Sequence, residues 1–295
     1  MSEFKEYHPA VNFAYFTAVI IFSMVFMHPM CLAISIISSF VYSIMLGGKK
    51  AAKFDFFCLV PMMIIAALIN PAFSHEGVTI LCYLPNGNPL TLESILYGAA
   101  AGAMLVTVIC WFSCYNKIMT SDKFIYLFGR AIPALSLILS MSLRFVPRFI
   151  SQLKIIARAQ KCIGRDMSQG SIIKRAKNGI TIISIMITWA LENSIETADS
   201  MKSRGYGLPG RSAFSIFTLE GRDKAALAYI LSLAVYLIIG VLSDGMYFTY
   251  FPYIQSVGQN VYAVSLFAAY LMLCAMPIAI ELLEVRKWNA IKSKA

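Results

Sequence analysis

Long apolar runs separated by short polar joints fill residues 1–115, and the pattern returns after residue 225; between them, apolar residues recur every three to four positions among charges. The runs predict membrane-spanning helices at 12–27, 30–46, 54–70, 92–115, 225–243 and 260–283. Most lie near the ~17–25 residues that a helix needs to cross a bilayer. The first two are short and meet at Met27-His28-Pro29-Met30, so they form either a hairpin or one helix broken at Pro29. With both crossing, the spans number six. Two further apolar runs, 131–143 and 179–191, are too short to cross alone and are expected to be interfacial, re-entrant or protein-buried helices.

The middle of the chain reads differently. Over 145–165 a helical projection gathers Phe145, Phe149, Leu153, Ile156 and Ile163 into one sector, with Lys154, Arg158, Lys161 and Arg165 opposite. Pro147 predicts a bend that divides this helix from the apolar run before it. Over 180–204 a second amphipathic helix carries Glu192, Glu196 and Asp199 on one ridge, with Ile187, Leu191, Ile195 and Ala198 largely opposite. Two arrangements fit: the acidic ridge crosses near the basic one, pairing Arg158 with Glu196, or each face is solvated on its own. Exposed pairs contribute only ~0–1 kcal/mol, which does not choose between them. Each helix is expected to stop at a glycine, Gly164 and Gly205, with basic residues in its last turn. Within the fourth span, Gly98-Ala99-Ala100-Ala101-Gly102 gives a small-residue face for close packing against a neighbouring helix of the same chain.

Composition makes the membrane reading firm. With 59% hydrophobic residues the chain is too apolar for a soluble globule. The fold class is an all-α polytopic membrane protein: transmembrane spans over 1–115, a cytoplasmic or interfacial block over 116–224, and two more spans with a cytoplasmic tail over 225–295. The polar start, Met1 to Pro9, lacks a signal-peptide pattern, so the first span is expected to stay in the mature protein. Net charge is +10, and 17 of the 25 Lys and Arg lie in 116–224. If the N-terminus is cytoplasmic, the segments 1–11, 47–53, 116–224 and 284–295 hold every lysine and arginine, while the outer loops 28–29, 71–91 and 244–259 hold none. That asymmetry is the positive-inside rule at full strength and places both termini in the cytoplasm. The loop 71–91, with Asn86-Gly87-Asn88-Pro89, is expected to be an ordered outer turn region.

Candidate chemistry is sparse. Seven scattered cysteines form no CxxC pair and read as small packing residues. Three histidines are too few for an evident metal cage, and a joint site of His28 and His75 lacks further ligands. A self-contained permease or ion carrier, the alternative function, calls for ionisable residues inside the spans, yet Asp55, Glu93, Asp244 and Glu281 fall at span ends. A membrane-embedded enzyme would need a cluster of His, Asp or Cys that the sequence lacks. Nucleic-acid binding is a poor reading of the basic charge, because orientation in the membrane accounts for it. What remains is a pair of basic-tipped helices, and an arginine on a rigid helix end can dock into a carboxylate-lined groove of another protein.

Here the chain resembles the transmembrane T component of energy-coupling factor (ECF) transporters, the family that includes cobalt transport permeases of the CbiQ type. Ala198-Asp199-Ser200-Met201-Lys202-Ser203-Arg204-Gly205-Tyr206 looks like the family's second Ala-Arg-Gly motif, with serine for the first alanine. Ala159-Gln160-Lys161-Cys162-Ile163-Gly164-Arg165-Asp166 is similar to the first motif, with Ile163 where an arginine is expected and Arg165 or Arg158 as substitutes. Residues 69–79 also look familial. The resemblance implies a non-catalytic coupling subunit in the plasma membrane of a bacterial cell. Its coupling-motif residues would be Ser203, Arg204 and Gly205 at one tip and Cys162, Ile163, Gly164, Arg165 and Asp166 at the other, with Arg158, Gln160, Glu192 and Glu196 in support. Its implied partners are two ABC ATPase subunits, a substrate-binding S component for a vitamin or metal ion, and the lipid bilayer. ATP and Mg would be bound by the ATPases and no cofactor by this chain, in keeping with the lack of a GxxxxGK[ST] loop.

Overall fold

Histidine followed by proline opens the first two long helices of the computed structural model, which describes residues 3–74, 76–83, 89–129, 133–166, 171–206, 217–256 and 260–292. Helix α1 (Pro9–Val25) is capped by His8 and α2 (Pro29–Phe54) by His28, each ring nitrogen Nδ1 accepting a backbone N–H two residues on at 3.2 Å. Each proline sits at the first helical position, where no N–H is needed, so the break at 26–28 separates two helices. Helix α2 is itself interrupted at Gly48 (φ 57°, ψ −150°) and passes through a π-helical turn, Asp55–Leu59, into α3 (Val60–Phe73). A short hairpin of β1 (Ile80–Tyr83) and β2 (Pro89–Thr91) leads to α4 (Leu92–Ile118); Asn86 to Asn88 lie outside the described residues. There follow α5 (Ser121–Gly129), α6 (Pro133–Cys162), α7 (Ile172–Ser203), α8 (Gly221–Leu242), the small ladder of β3 (Phe248–Thr249) and β4 (Gln255–Ser256), and α9 (Val261–Lys292).

The all-α polytopic expectation holds. Among the described residues five helical stretches are long and apolar enough to cross a membrane: Pro29–Lys49, Ala51–Phe73, Leu92–Ile118, Gly221–Leu242 and Val261–Trp288. The expected first span, α1, is apolar but only 17 residues long.

The run 179–191 lies within α7, of 32 residues, which extends the helix expected over 180–204. One expectation is corrected: from Pro133 on, α6, of 30 residues, continues without a division at Pro147. A proline removes one N–H and leaves one carbonyl unpaired, and α6 accommodates that loss within a continuous helix.

The chain forms two units: residues 1–124 with 217–295, and the insertion 125–216. The first is built on a dry aromatic core. Tyr15, Phe16, Tyr42, Trp111, Leu266, Tyr270 and Leu273 are fully buried. Four of its polar groups answer one another: Trp111 Nε1 donates to Ser35 Oγ (3.0 Å), which meets Ser23 Oγ (2.8 Å), which meets Tyr270 OH (3.1 Å). This relay ties α4, α2, α1 and α9 where an unpaired hydroxyl would be costly. The small-residue face of α4 packs against α3, as expected within one chain. A Cβ on Gly98 would stand 2.7 Å from the Ala67 carbonyl oxygen, and one on Gly102 2.8 Å from that of Met63.

The N-terminal segment closes the same unit. Lys123, almost fully buried, donates to the carbonyls of Lys5 and Tyr7. Asp223 accepts the His8 N–H through Oδ1 (3.1 Å) and the Glu220 N–H through Oδ2 (3.0 Å). Arg222 reaches Glu3 (4.0 Å) and lies over the Tyr7 ring (5.2 Å).

In the insertion, α6 and α7 pack through Phe149, whose ring meets Trp189 edge-on at 5.6 Å, with Ile156, Ile182 and Asn193 buried nearby. The apolar face foreseen on α7 is not covered within this unit: Ile187, Leu191 and Ile195 are 54%, 63% and 66% exposed.

Candidate coupling site at the ends of two helices

Both helices of the insertion stop by the same device. At the end of α6 the Gly164 N–H bonds the Lys161 carbonyl (3.0 Å) and the Arg165 N–H bonds the Gln160 carbonyl (3.0 Å). At the end of α7 the Gly205 N–H bonds the Lys202 carbonyl (3.0 Å) and the Tyr206 N–H bonds the Met201 carbonyl (3.1 Å). These paired bonds define a Schellman turn, which needs a left-handed residue after the helix. Gly164 and Gly205 supply it, each with φ of 76°.

The shared hydrogen-bond pattern sets the two tips in register: Gly164 matches Gly205, Cys162 matches Ser203, and Ile163 matches Arg204. Ile163 is 70% exposed and Arg204 also faces solvent. One tip therefore presents a bare apolar residue where the other presents a guanidinium. The Ser203 hydroxyl bonds back to the Asp199 and Ser200 carbonyls at 2.8 and 3.1 Å, so it closes the helix end rather than reaching outward.

Around the α6 tip, Asp166 takes up Lys161 in an ion pair of 3.4 Å, and its carbonyl accepts from Asn178 Nδ2 (3.0 Å) on α7. The acid of the first motif thus braces the turn. Arg165 and Arg158 are exposed and in no ion pair among the described residues, but neither occupies the Ile163 position: Arg165 is two residues beyond it and Arg158 more than a turn before it. Gln160 lends its carbonyl to the turn and is half-buried.

The proposed pairing of Arg158 with Glu196 does not occur; no ion pair joins them among the described residues. Glu196 instead lines a cavity between α6 and α7 together with Arg144, Arg148 and Arg204. Glu192, a turn earlier on α7, is solvent-facing. Arg144 and Arg148 were not singled out from the sequence. Their four-residue spacing was the available signal, hidden because both flank Pro147 at the expected bend. Among the described residues no three His, Cys, Asp or Glu side chains could share a metal ion. His75, the supposed companion of His28, lies outside the described residues. Asp55, read as a span-end residue, is fully buried with both carboxylate oxygens unpartnered.

A family model described as Cobalt transport protein (CbiQ) matches residues 2–216. Among curated proteins, the energy-coupling factor transporter transmembrane protein EcfT of Lactobacillus helveticus is 33% identical over 114 residues, 38% of this chain and 41% of that protein. The EcfT proteins of Lactococcus lactis and Brevibacillus brevis are 32% and 31% identical over 106 and 113 residues, covering 36% and 38% of this chain. The aligned part spans about two-fifths of the length of these relatives.

Proposed function

As the chain belongs to the CbiQ cobalt transport protein family, we propose that it is the multi-pass T component of an ECF-type ABC importer, coupling two cytoplasmic ATPases to a substrate-binding S component. In this reading ATP and Mg are held by the ATPases, and this chain transmits motion without catalysing a reaction. The observation that carries it is the pair of matching helix ends, each a rigid Schellman turn with its last side chain turned to solvent. A cap with paired backbone bonds fixes the direction in which the arginine side chain leaves the helix end, which favours a bidentate contact to a partner's carboxylate. The uncovered face of Ile187, Leu191 and Ile195 supports a further contact, with the S component or the bilayer. The confinement of all lysines and arginines to one side of the expected topology supports cytoplasmic termini. The cargo, a vitamin or a metal ion, is chosen by the S component.

The test is co-purification from membranes. Wild-type chain brings down both ATPases, and Arg204→Glu loses ATPase retention and ATP-dependent uptake while inserting normally. Full retention and uptake in that variant would refute the role of the α7 tip. Ile163→Arg restores the guanidinium at the matched position and is expected to keep or tighten ATPase binding. A loss of assembly there would show that the register of the two tips is not the functional one.

A further inference from the structure

A cavity of about 780 Å³ runs between α6 and α7, and three of its lining residues are arginines: Arg144, Arg148 and Arg204. Among the described residues Glu196 is the one acid in its wall, and none of the three guanidiniums lies within ion-pair distance of a carboxylate. Like charges four residues apart on one helix repel. Arg144 and Arg148 hold that spacing, with Arg204 facing the same space from α7. Arg148 also leans on α7, its guanidinium standing 5.7 Å from the centre of the Trp189 ring. An excess of two positive charges, focused in a concave wall, is a site for an anion.

The rest of the lining says which kind. Met141, Phe145 and Met201 share the wall with the arginines, so a ligand entering here meets a charged side and an apolar side. A free inorganic anion has no use for the apolar side, whereas an amphiphile uses both. The volume falls in the ~300–1,000 Å³ range of small-ligand sites, enough for a headgroup and the first part of its chains. We infer that the groove between α6 and α7 binds the headgroup of an anionic phospholipid, its phosphate held by the forks of Arg144 and Arg148. The inference stands on Arg144 and Arg148, which the coupling reading does not use, and it meets that reading at Arg204 and Glu196.

The experiment uses the full chain in nanodiscs of phosphatidylcholine containing a photoactivatable phosphatidylglycerol, with labelled peptides mapped by mass spectrometry. Wild type is expected to be labelled within 141–148 and 193–206. Arg144→Gln with Arg148→Gln should lower that labelling about tenfold or more, with labelling elsewhere and helix content unchanged. The double lysine variant keeps the charge without the fork and should fall between. Equal labelling by a zwitterionic probe, or undiminished labelling of the glutamine variant, overturns the proposal. So does displacement of the label by about 1 mM inorganic phosphate, which would make the ligand a free anion. If the glutamine variant binds the lipid as wild type does but loses the ATPases, the arginines serve an acidic protein partner and the lipid assignment is wrong.

Discussion

The two units solve opposite problems with similar residues. The first has a closed core: Trp111, Tyr15 and Tyr270 are fully buried with their polar atoms paired, while its span helices also expose side chains such as Phe57 and Phe73. In the insertion, Trp189 and Phe149 hold two helices together while Ile187, Leu191, Ile195 and Ile163 are left to solvent. Apolar surface of that extent on a short two-helix unit is not a defect of folding. A unit closed around a paired aromatic core is a platform, and one that leaves apolar faces and arginines open is a surface completed by other molecules.

That contrast can be broken most severely in the platform. Trp111→Ala removes the largest buried side chain and the donor to Ser35, and should cost about 3–5 kcal/mol, read as loss of folded chain in detergent thermal denaturation. If the variant melts with wild type, the aromatic core does not carry the first unit. In the insertion, Gly205→Ala must place a side chain in left-handed backbone. It should cost about 1–2 kcal/mol locally, little in global melting, yet lower ATPase retention by moving Arg204. The matched change Gly164→Ala pays the same strain at a tip whose matched position holds Ile163 instead of an arginine and should affect retention less, so equal losses would erase the difference between the tips.

The smallest effect is pH-dependent. Burial pushes the His8 imidazole below its ordinary value, against the pull of Asp223 and with help from Lys123, and burial alone lowers His28. Both rings accept a capping N–H while neutral. Because the unfolded chain takes up these protons first, their contribution is complete above pH ~6.5 and is lost as pH falls through the lower folded values. His8→Asn, which keeps a capping acceptor but does not titrate, should flatten part of the decline in melting temperature below pH 6.5. An unchanged pH profile would mean that the cap carries no proton linkage.

Much of this architecture was readable from the residues. Apolar runs marked the helices to within a few positions, Gly164 and Gly205 marked two helix ends, and Gly98 and Gly102 marked a close crossing. Each is a local rule: length against bilayer thickness, positive φ, absence of a Cβ. The misses share a different cause. Pro147 looked like a break because its local cost is certain, while the gain from extending α6 along α7 is tertiary. The α7 face of Ile187, Leu191 and Ile195 was recognised as apolar, but periodicity cannot say whether a neighbour in the same chain covers it. Arg158 and Glu196 had matching spacing, and spacing does not fix which faces meet. The burial of Asp55 is tertiary, set by which helices pack around it, and the break at Gly48 is a conformation that one glycine permits without announcing it.

The chain leaves the first unit just after Lys123 and re-enters it just before Arg222 and Asp223, and all three side chains grip residues 3–8. Within the first unit, residues 3–8 therefore clasp to one another the two stretches of chain that flank the insertion, so a change at Lys123 or at Arg222 is felt at both.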